Sequence, residues 1–503
     1  MADHQETSRF NGNASLGEIL GNVDWRRVSF IVLGLALFAV VYFSPPWGDA
    51  IDPSGKPFVL THEGKAAIGL FLLAAVWWVF EVVPIGVTSL AIGVVQCMFL
   101  IREPRTTFTD FMDPSVMFIF GSIVIGMVFS KTGLTRRMAY KMLSIVGEKT
   151  SMIYLGCFLM TSLLTLIMAH TAVAATVFPL LMAINSLYEE DETKQTRFGK
   201  GLFMGMAYVA GAGSIITLLG AARGAVAIGF YKQVVGVEIG FFQLTYYMFP
   251  VGALMTVLLW FFFMVYYKPE RATIPGLKER SKTLYKGLGP MTYSEKGALV
   301  VVLSAILFLS LRSFVPAFEP FNKSAVILIT TVAFFLFKIL DVKDLEGVPW
   351  NIILLFGGAM SIGFCLWQTG AANWMAVQWL GMFQETPSFI FIMSIAFMVL
   401  ILTNGIMNVA AIAISMPVAL VIAEYLGVAP EVILFSALVV AGMPFLFLIG
   451  AAPNAIAYES RQFTSGEFFR AGVWASLLLM IILGIFVAVI WPLMGMPITL
   501  PGT

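Results

Sequence analysis

Apolar residues in this chain come in runs that continue for most of the thickness of a bilayer and then stop. A helix needs about 20 such residues to cross roughly 30 Å of hydrocarbon. Runs of that order lie near 29–46, 66–82, 84–101, 115–130, 152–185, 202–230, 241–267, 297–315, 324–340, 350–368, 388–423, 430–457 and 470–494. The runs at 152–185 and 388–423 are too long for one span, and neither holds a polar linker that would divide it into two. Each reads instead as a hairpin that enters and leaves the membrane on the same side. Such backbone is tolerated at depth only where protein or a cavity surrounds it. The pattern therefore predicts an all-α polytopic membrane protein of about eleven transmembrane helices plus two re-entrant hairpins.

Composition agrees. Of 503 residues, 59% are hydrophobic and 12% charged, and the mean hydropathy is +0.90. Soluble proteins carry about 25% charged residues. Half that fraction cannot cover a water-soluble globule, which excludes a soluble enzyme, a nucleic-acid binder and a disordered scaffold. Cys97, Cys157 and Cys365 are too far apart for a metal-ligand spacing or a disulfide framework. The polar segment 1–28 lacks the charged-then-apolar pattern of a cleaved signal and reads as a cytoplasmic tail.

Basic residues orient the spans. Arg26 and Arg27 precede the first span and place the N-terminus inside. Alternation then puts Lys131, Arg136, Arg137 and Lys141 inside, together with the basic segment 268–296 and Arg461 and Arg470. The tail 495–503 has no basic residue and falls outside; Arg102 and Arg105 are the exceptions. The plasma (inner) membrane is the expected location.

Three pairs of segments recur at nearly one offset. Gly121, Gly126 and Thr132-Gly133 return as Gly358, Gly363 and Thr369-Gly370. AHTAVAATVFP (169–179) returns as MNVAAIAISMP (407–417), and LGAARGAVA (219–227) as IGAAPNAIA (449–457). An odd number of spans per copy makes the two copies inverted. The expected organisation is a first span and external loop (29–64), a first inverted repeat (65–267), a cytoplasmic basic linker (268–296) and a second repeat (297–494). The first repeat holds the hairpin 152–185 and a broken helix in 202–230; the second holds the hairpin 388–423 and a broken helix in 430–457. Thr165, His170 and Thr171 mark one hairpin centre, and Thr403, Asn404 and Asn408 the other. GAGSIITLLGAARG (211–224) and GMPFLFLIGAAPN (442–454) carry Gly, Pro, Ser, Thr and Asn in mid-span. Small residues there allow close helix packing. A broken helix also exposes carbonyls for cations at one half-helix end and N–H groups for anions at the other.

These segments, with WWVFEVVPIGVTS (77–89), resemble the divalent-anion/sodium symporter family of dicarboxylate, citrate and sulfate carriers. The resemblance covers nearly everything after the N-terminal tail. It implies a homodimer in the lipid bilayer, with a fixed scaffold and a transport domain that moves like an elevator. It also implies two hairpin tips of Ser-Asn-Thr type that bind a small anionic substrate, each helping a broken helix to hold a sodium ion. No organic cofactor, nucleic acid or enzymatic chemistry is implied.

Carried onto this chain, the second half keeps more of the pattern. Its tip is Met407-Asn408-Val409, its upstream hydroxyl Thr403, and its broken helix Gly450-Ala451-Ala452-Pro453-Asn454. Thr403, Asn408, Gly450 and Ala451 are expected to hold sodium, with Met407, Asn408, Val409, Pro453 and Asn454 facing substrate. The first half departs: its tip is Ala169-His170-Thr171, and Arg223-Gly224 stands where Pro-Asn is expected. Thr165 and Gly220 would form its sodium site, but imidazole is a poor ligand for a hard cation and a guanidinium repels one. Arg223 either snorkels to the headgroups or acts as a fixed cation that grips an anionic oxygen pair. His170 is either a neutral structural residue or a donor to substrate. With one sodium site altered, sodium-independent anion exchange and proton coupling stand as alternatives to symport. An anion channel, which needs a continuous polar path, fits less well. Loss of the second-tip hydroxyls favours a substrate with one strong anionic end, such as a sulfonate or monocarboxylate, beside the dicarboxylates of the family.

Overall fold

The computed structural model describes residues 24–51, 57–191, 194–380 and 386–500. Most of the expected N-terminal tail and the last residues of the C-terminal one lie outside the described residues.

Helices account for almost all of it. The chain opens with α1 (Trp25–Phe43), a two-stranded hairpin of β1 (Ala50–Ile51) and β2 (Pro57–Phe58), α2 (His62–Val79), α3 (Ile85–Met98), the short α4 (Pro104–Thr109) and α5 (Pro114–Thr132). Next come α6 (Leu134–Val146), α7 (Thr150–Thr165), α8 (His170–Tyr188), α9 (Arg197–Ser214), α10 (Ala222–Val235) and α11 (Phe241–Tyr266). The middle of the chain forms α12 (Leu277–Gly287), α13 (Tyr293–Leu311), α14 (Lys323–Leu336), α15 (Val342–Glu346), α16 (Trp350–Gln368) and α17 (Ala371–Leu380). It closes with α18 (Ser388–Gly405), α19 (Asn408–Tyr425), α20 (Pro430–Ala441), α21 (Ala452–Tyr458) and α22 (Ser465–Ile485), which runs on through a π-turn to Leu493.

Among the described residues nine helical segments are long and apolar enough to cross a membrane. The shorter apolar helices include α7, an arm of the first hairpin, and α20, one half of a broken span. A break divides a span into pieces that cannot cross alone. The first hairpin turns at 166–169 and the second at 406–407, and the two broken spans open at 215–221 and 442–451.

Two groups of helices result. In one, α1, α2, α3 and α16 pack in sequence, with α5, α13 and α14 against one another. In the other, the hairpins and broken spans of the two halves interlock: α8 and α9 pack on α21, and α10 packs on α19 and α20. Ala and Gly permit this close approach. A methyl group at Gly211 would stand 2.6 Å from the Gly442 carbonyl oxygen, so the two broken spans touch backbone to backbone.

Arg102, an exception to the orientation count, is neutralised. It pairs with Asp110 at 2.6 Å and bonds to Gln96, Gln368 and the Ser361 carbonyl, all inside the protein. Arg105 stays exposed. Arg137 is likewise paired with Glu295 at 2.8 Å, and Glu295 closes the capping box that begins α13.

Candidate functional site

Each hairpin tip is seated on the break of the broken span in its own half. In the first half, a methyl group at Gly220 would lie 2.6 Å from both the Thr165 and the Ser214 carbonyl oxygens. In the second, one at Gly450 would lie 3.2 Å from the Thr403 oxygen and 2.7 Å from Pro444 Cβ. A Cβ cannot stand 2.6 Å from a carbonyl oxygen, so the first break requires glycine there, and 3.2 Å is a tight fit at the second. The same pieces therefore meet twice: the last hydroxyl-bearing residue of a hairpin arm, and a glycine in an unwound span.

The two contacts differ in which carbonyls are left open. The Gly220 oxygen accepts the His170 backbone N–H at 3.0 Å, and His170 Nδ1 lies 3.3 Å from the same oxygen. A neutral ring that donates there carries its proton on Nδ1. Two protein donors thus converge on the carbonyl that a cation would need. Thr217 donates to the Leu166 carbonyl at 2.8 Å, and Ser122 to that of Leu219 at 3.1 Å, pinning the first break further. In the second half no donor among the described residues reaches the oxygens of Thr403 or Gly450.

The side chains around the second contact are buried and ordered by hydrogen bonds. Thr403 is fully buried, and its hydroxyl donates weakly to Ala441 at 3.3 Å. Asn404 accepts from the Leu446 N–H at 2.7 Å, and Asn454 donates to the carbonyls of Pro444 and Phe447. These two amides hold the unwound strand 442–451 in place. Asn408 is different: it is 8% exposed, and among the described residues its side-chain amide has no hydrogen-bond partner. Its amide is thus not tied down as those of Asn404 and Asn454 are. Val409 and Pro453 are buried, while Met407, Ala451 and Thr171 are half-buried.

Arg223 begins α10 and is 2% exposed. Its Nη2 donates to Ser214 Oγ at 2.6 Å across the first break. The same nitrogen would be 2.8 Å from a methyl group at Gly442, so the guanidinium reaches the break of the other half. No carboxylate among the described residues pairs with it. A cavity of about 10 Å³ beside it, lined in part by Ser214, Thr217 and Leu438, has room for about one water.

The structure thus gathers Thr165, His170, Gly220 and Arg223 at one break, and Thr403, Gly450 and Asn454 at the other, with Asn408 opening α19 just after the second turn. Ser214, Gly442 and Gly211 also belong to this centre and were not singled out from sequence. Their signal was present in the small-residue run GAGS and in the opening of GMPF, but neither indicates that the two runs face each other. Among the described residues no cluster of three or more His, Cys, Asp or Glu could hold a transition metal.

The family model described as the sodium:sulfate symporter transmembrane region matches residues 35–497. The sodium-dependent dicarboxylate transporter SdcS of Staphylococcus saprophyticus is 23% identical over 100% of this chain and 96% of its own. That of Staphylococcus aureus strain RF122 is 24% identical, over 97% of this chain and 94% of its own. Among solved structures, the YdaH transporter of Alcanivorax borkumensis aligns with a TM-score of 0.57 at 14% identity, over 94% of this chain and 99% of that one. Neisseria gonorrhoeae MtrF, titled for antimetabolite efflux pumps, aligns with a TM-score of 0.57 at 12% identity, over 92% and 93%. These last two show a shared fold.

Proposed function

Because the chain belongs to the sodium:sulfate symporter family and is a multi-pass membrane transporter rather than an enzyme, we propose that it is a secondary active carrier of small anions coupled to a single sodium ion. The difference between the two tip–break contacts carries this reading. Sodium prefers oxygen ligands. Among the described residues no donor reaches the Thr403 and Gly450 carbonyls, the Thr403 hydroxyl lies at the same contact, and the Asn408 amide, at the start of α19, is taken as a further ligand. At the first contact the matching carbonyl, of Gly220, is taken by His170. Arg223 then supplies in permanent form the positive charge that a second sodium would bring.

The anion belongs between the two tips, where Asn408 and Thr171 offer polar groups and Met407 and Val409 an apolar wall. Relatives named as dicarboxylate transporters, and a family named for sulfate, favour a dicarboxylate, sulfate or sulfonate. The interlocked hairpins and broken spans are the unit that would move, elevator-fashion, against the α1–α3, α5, α13, α14 and α16 group. The basic linker would be cytoplasmic, and a second copy of the chain would complete a homodimer.

Proteoliposomes test the coupling. Uptake of labelled succinate, sulfate and a small sulfonate is expected to need a sodium gradient, with a sodium Hill coefficient near one. Carrying one sodium with a divalent anion moves net negative charge inward, so an inside-negative potential should oppose it by about 2.3 kcal/mol per 100 mV. Thr403→Val should raise the half-saturating sodium concentration roughly tenfold or more, and Thr165→Val should leave it unchanged. A Hill coefficient near two with equal sensitivity at both threonines would refute single-site coupling. Counterflow without sodium would identify an exchanger, and uptake driven by a proton gradient a proton-coupled carrier.

A further inference from the structure

A second cleft lies between α6, α8 and α12. Its volume is about 300 Å³, at the small end of the range for ligand pockets. Tyr140, Leu180, Ala183 and Leu284 form apolar walls, and Arg136 and Arg280 stand among them from two different helices. Both helices are amphipathic and basic: LTRRMAYKMLSIV and LKERSKTLYKG.

The charges nearby are already committed elsewhere. Arg137, next to Arg136, is paired with Glu295. Glu279, next to Arg280, accepts from Lys282 at 3.2 Å, and Glu148 accepts from the Gly276 N–H at 2.9 Å. Among the described residues neither Arg136 nor Arg280 has a carboxylate partner. Apolar area is left uncovered on the same helices, with Ile145 72% and Leu284 43% exposed. Water penalises that area, whereas the interfacial layer of a bilayer accepts it.

We propose that this cleft binds one anionic phospholipid, its phosphate held by Arg136 and Arg280 and an acyl chain laid along Leu180, Ala183 and Leu284. The chemistry of the cleft argues for both halves of the ligand. Two guanidinium groups suit a phosphate, and basic pockets between membrane helices are where anionic headgroups bind. The apolar walls give a free phosphate nothing to bind. Since α8 is the second arm of the first hairpin, the lipid would brace that hairpin against the linker helix α12. None of this depends on the sodium stoichiometry.

Purified full-length protein in detergent, titrated separately with dioleoyl phosphatidylglycerol, dioleoyl phosphatidylcholine and inorganic phosphate, tests the proposal by native mass spectrometry and thermal melting. Phosphatidylglycerol should be retained and should raise the Tm, with phosphatidylcholine and phosphate doing neither. The double variant Arg136→Gln/Arg280→Gln, at two exposed positions, should retain phosphatidylglycerol roughly 30-fold less well, about fivefold for each basic residue. Ala183→Trp, which fills the cleft and leaves both charges, should lose it as well. Equal retention by wild type and double variant, equal retention of phosphatidylcholine, or a Tm rise with phosphate matching that with phosphatidylglycerol would each overturn the proposal.

Discussion

Arg223 is the residue whose environment asks most for an explanation. Among the described residues this guanidinium, 2% exposed, has Ser214 as its hydrogen-bond partner and no carboxylate. Placing an arginine at mid-membrane costs about 2.5–3.5 kcal/mol on insertion scales. That cost and the proposed anion grip make opposite demands on one side chain. Arg223→Met, of similar reach and no charge, is expected to melt at a higher temperature, because a buried charge without a partner is removed, while the KM for the anion rises. A higher Tm with unchanged KM would mean that the charge does not touch substrate. His170 and Asn408 occupy matching positions in the two halves and are bound differently. The first ties its own backbone to Gly220, and the second leaves its amide unengaged.

At the scale of elements, what matters is that the first hairpin and its unwound span fit only through glycine. Gly220 accepts two carbonyl oxygens at distances no Cβ tolerates, whereas a methyl group at Gly224 would meet only Leu218 Cδ2 at 3.3 Å. Gly220→Ala should therefore push the first hairpin off its break, costing about 1–3 kcal/mol in stability and abolishing uptake. Gly224→Ala, four residues on, should retain both. Melting temperature and initial uptake rate separate the two variants; equal behaviour would mean that the tip–break contact carries no strain. Helix limits were largely legible in sequence at this scale. The run 350–368 matches α16 residue for residue, and the hairpin turns at 166–169 and 406–407 fall where Thr, His and Asn interrupt apolar stretches. The slow alternation of apolar span and polar loop is imposed by the bilayer, which acts on every span alike. The stripe Gly201 and Gly205 on α9, which receives Tyr154 and Phe158 of α7, also follows a recognisable small-residue spacing.

For the whole molecule, the linker after α11 does more than join two halves. Glu270 turns back to the start of α9 and accepts the backbone N–H of Phe198 at 3.2 Å, that of Arg197, and the Tyr188 hydroxyl at 3.0 Å. A carboxylate there also complements the positive end of the helix. Burial raises the Glu270 carboxyl, but these hydrogen bonds outweigh it and hold it below the ordinary value. A depressed folded-state pKa stabilises fully above the unfolded value of 4.5 and is lost as pH falls through the lower folded one. Thermal stability should therefore drop in that acid window, and Glu270→Gln should lower the Tm at neutral pH and flatten the drop. An unchanged profile would remove Glu270 from the account.

From the order of residues alone came lipid as the solvent, the apolar runs that form the helices, the segments in which two of them unwind, and the kinship with anion carriers. The first three follow from local composition meeting a bilayer of set thickness, and the last from the likeness of the quoted motifs to a known family. Folding in three dimensions decided the rest: that Gly211 meets Gly442, that Arg223 turns inward onto Ser214, and that His170 occupies the Gly220 carbonyl while no donor among the described residues reaches those of Thr403 and Gly450. Those outcomes depend on how two half-chains some 230 residues apart interlock, and a backbone carbonyl carries no mark in the sequence of whether a donor will reach it.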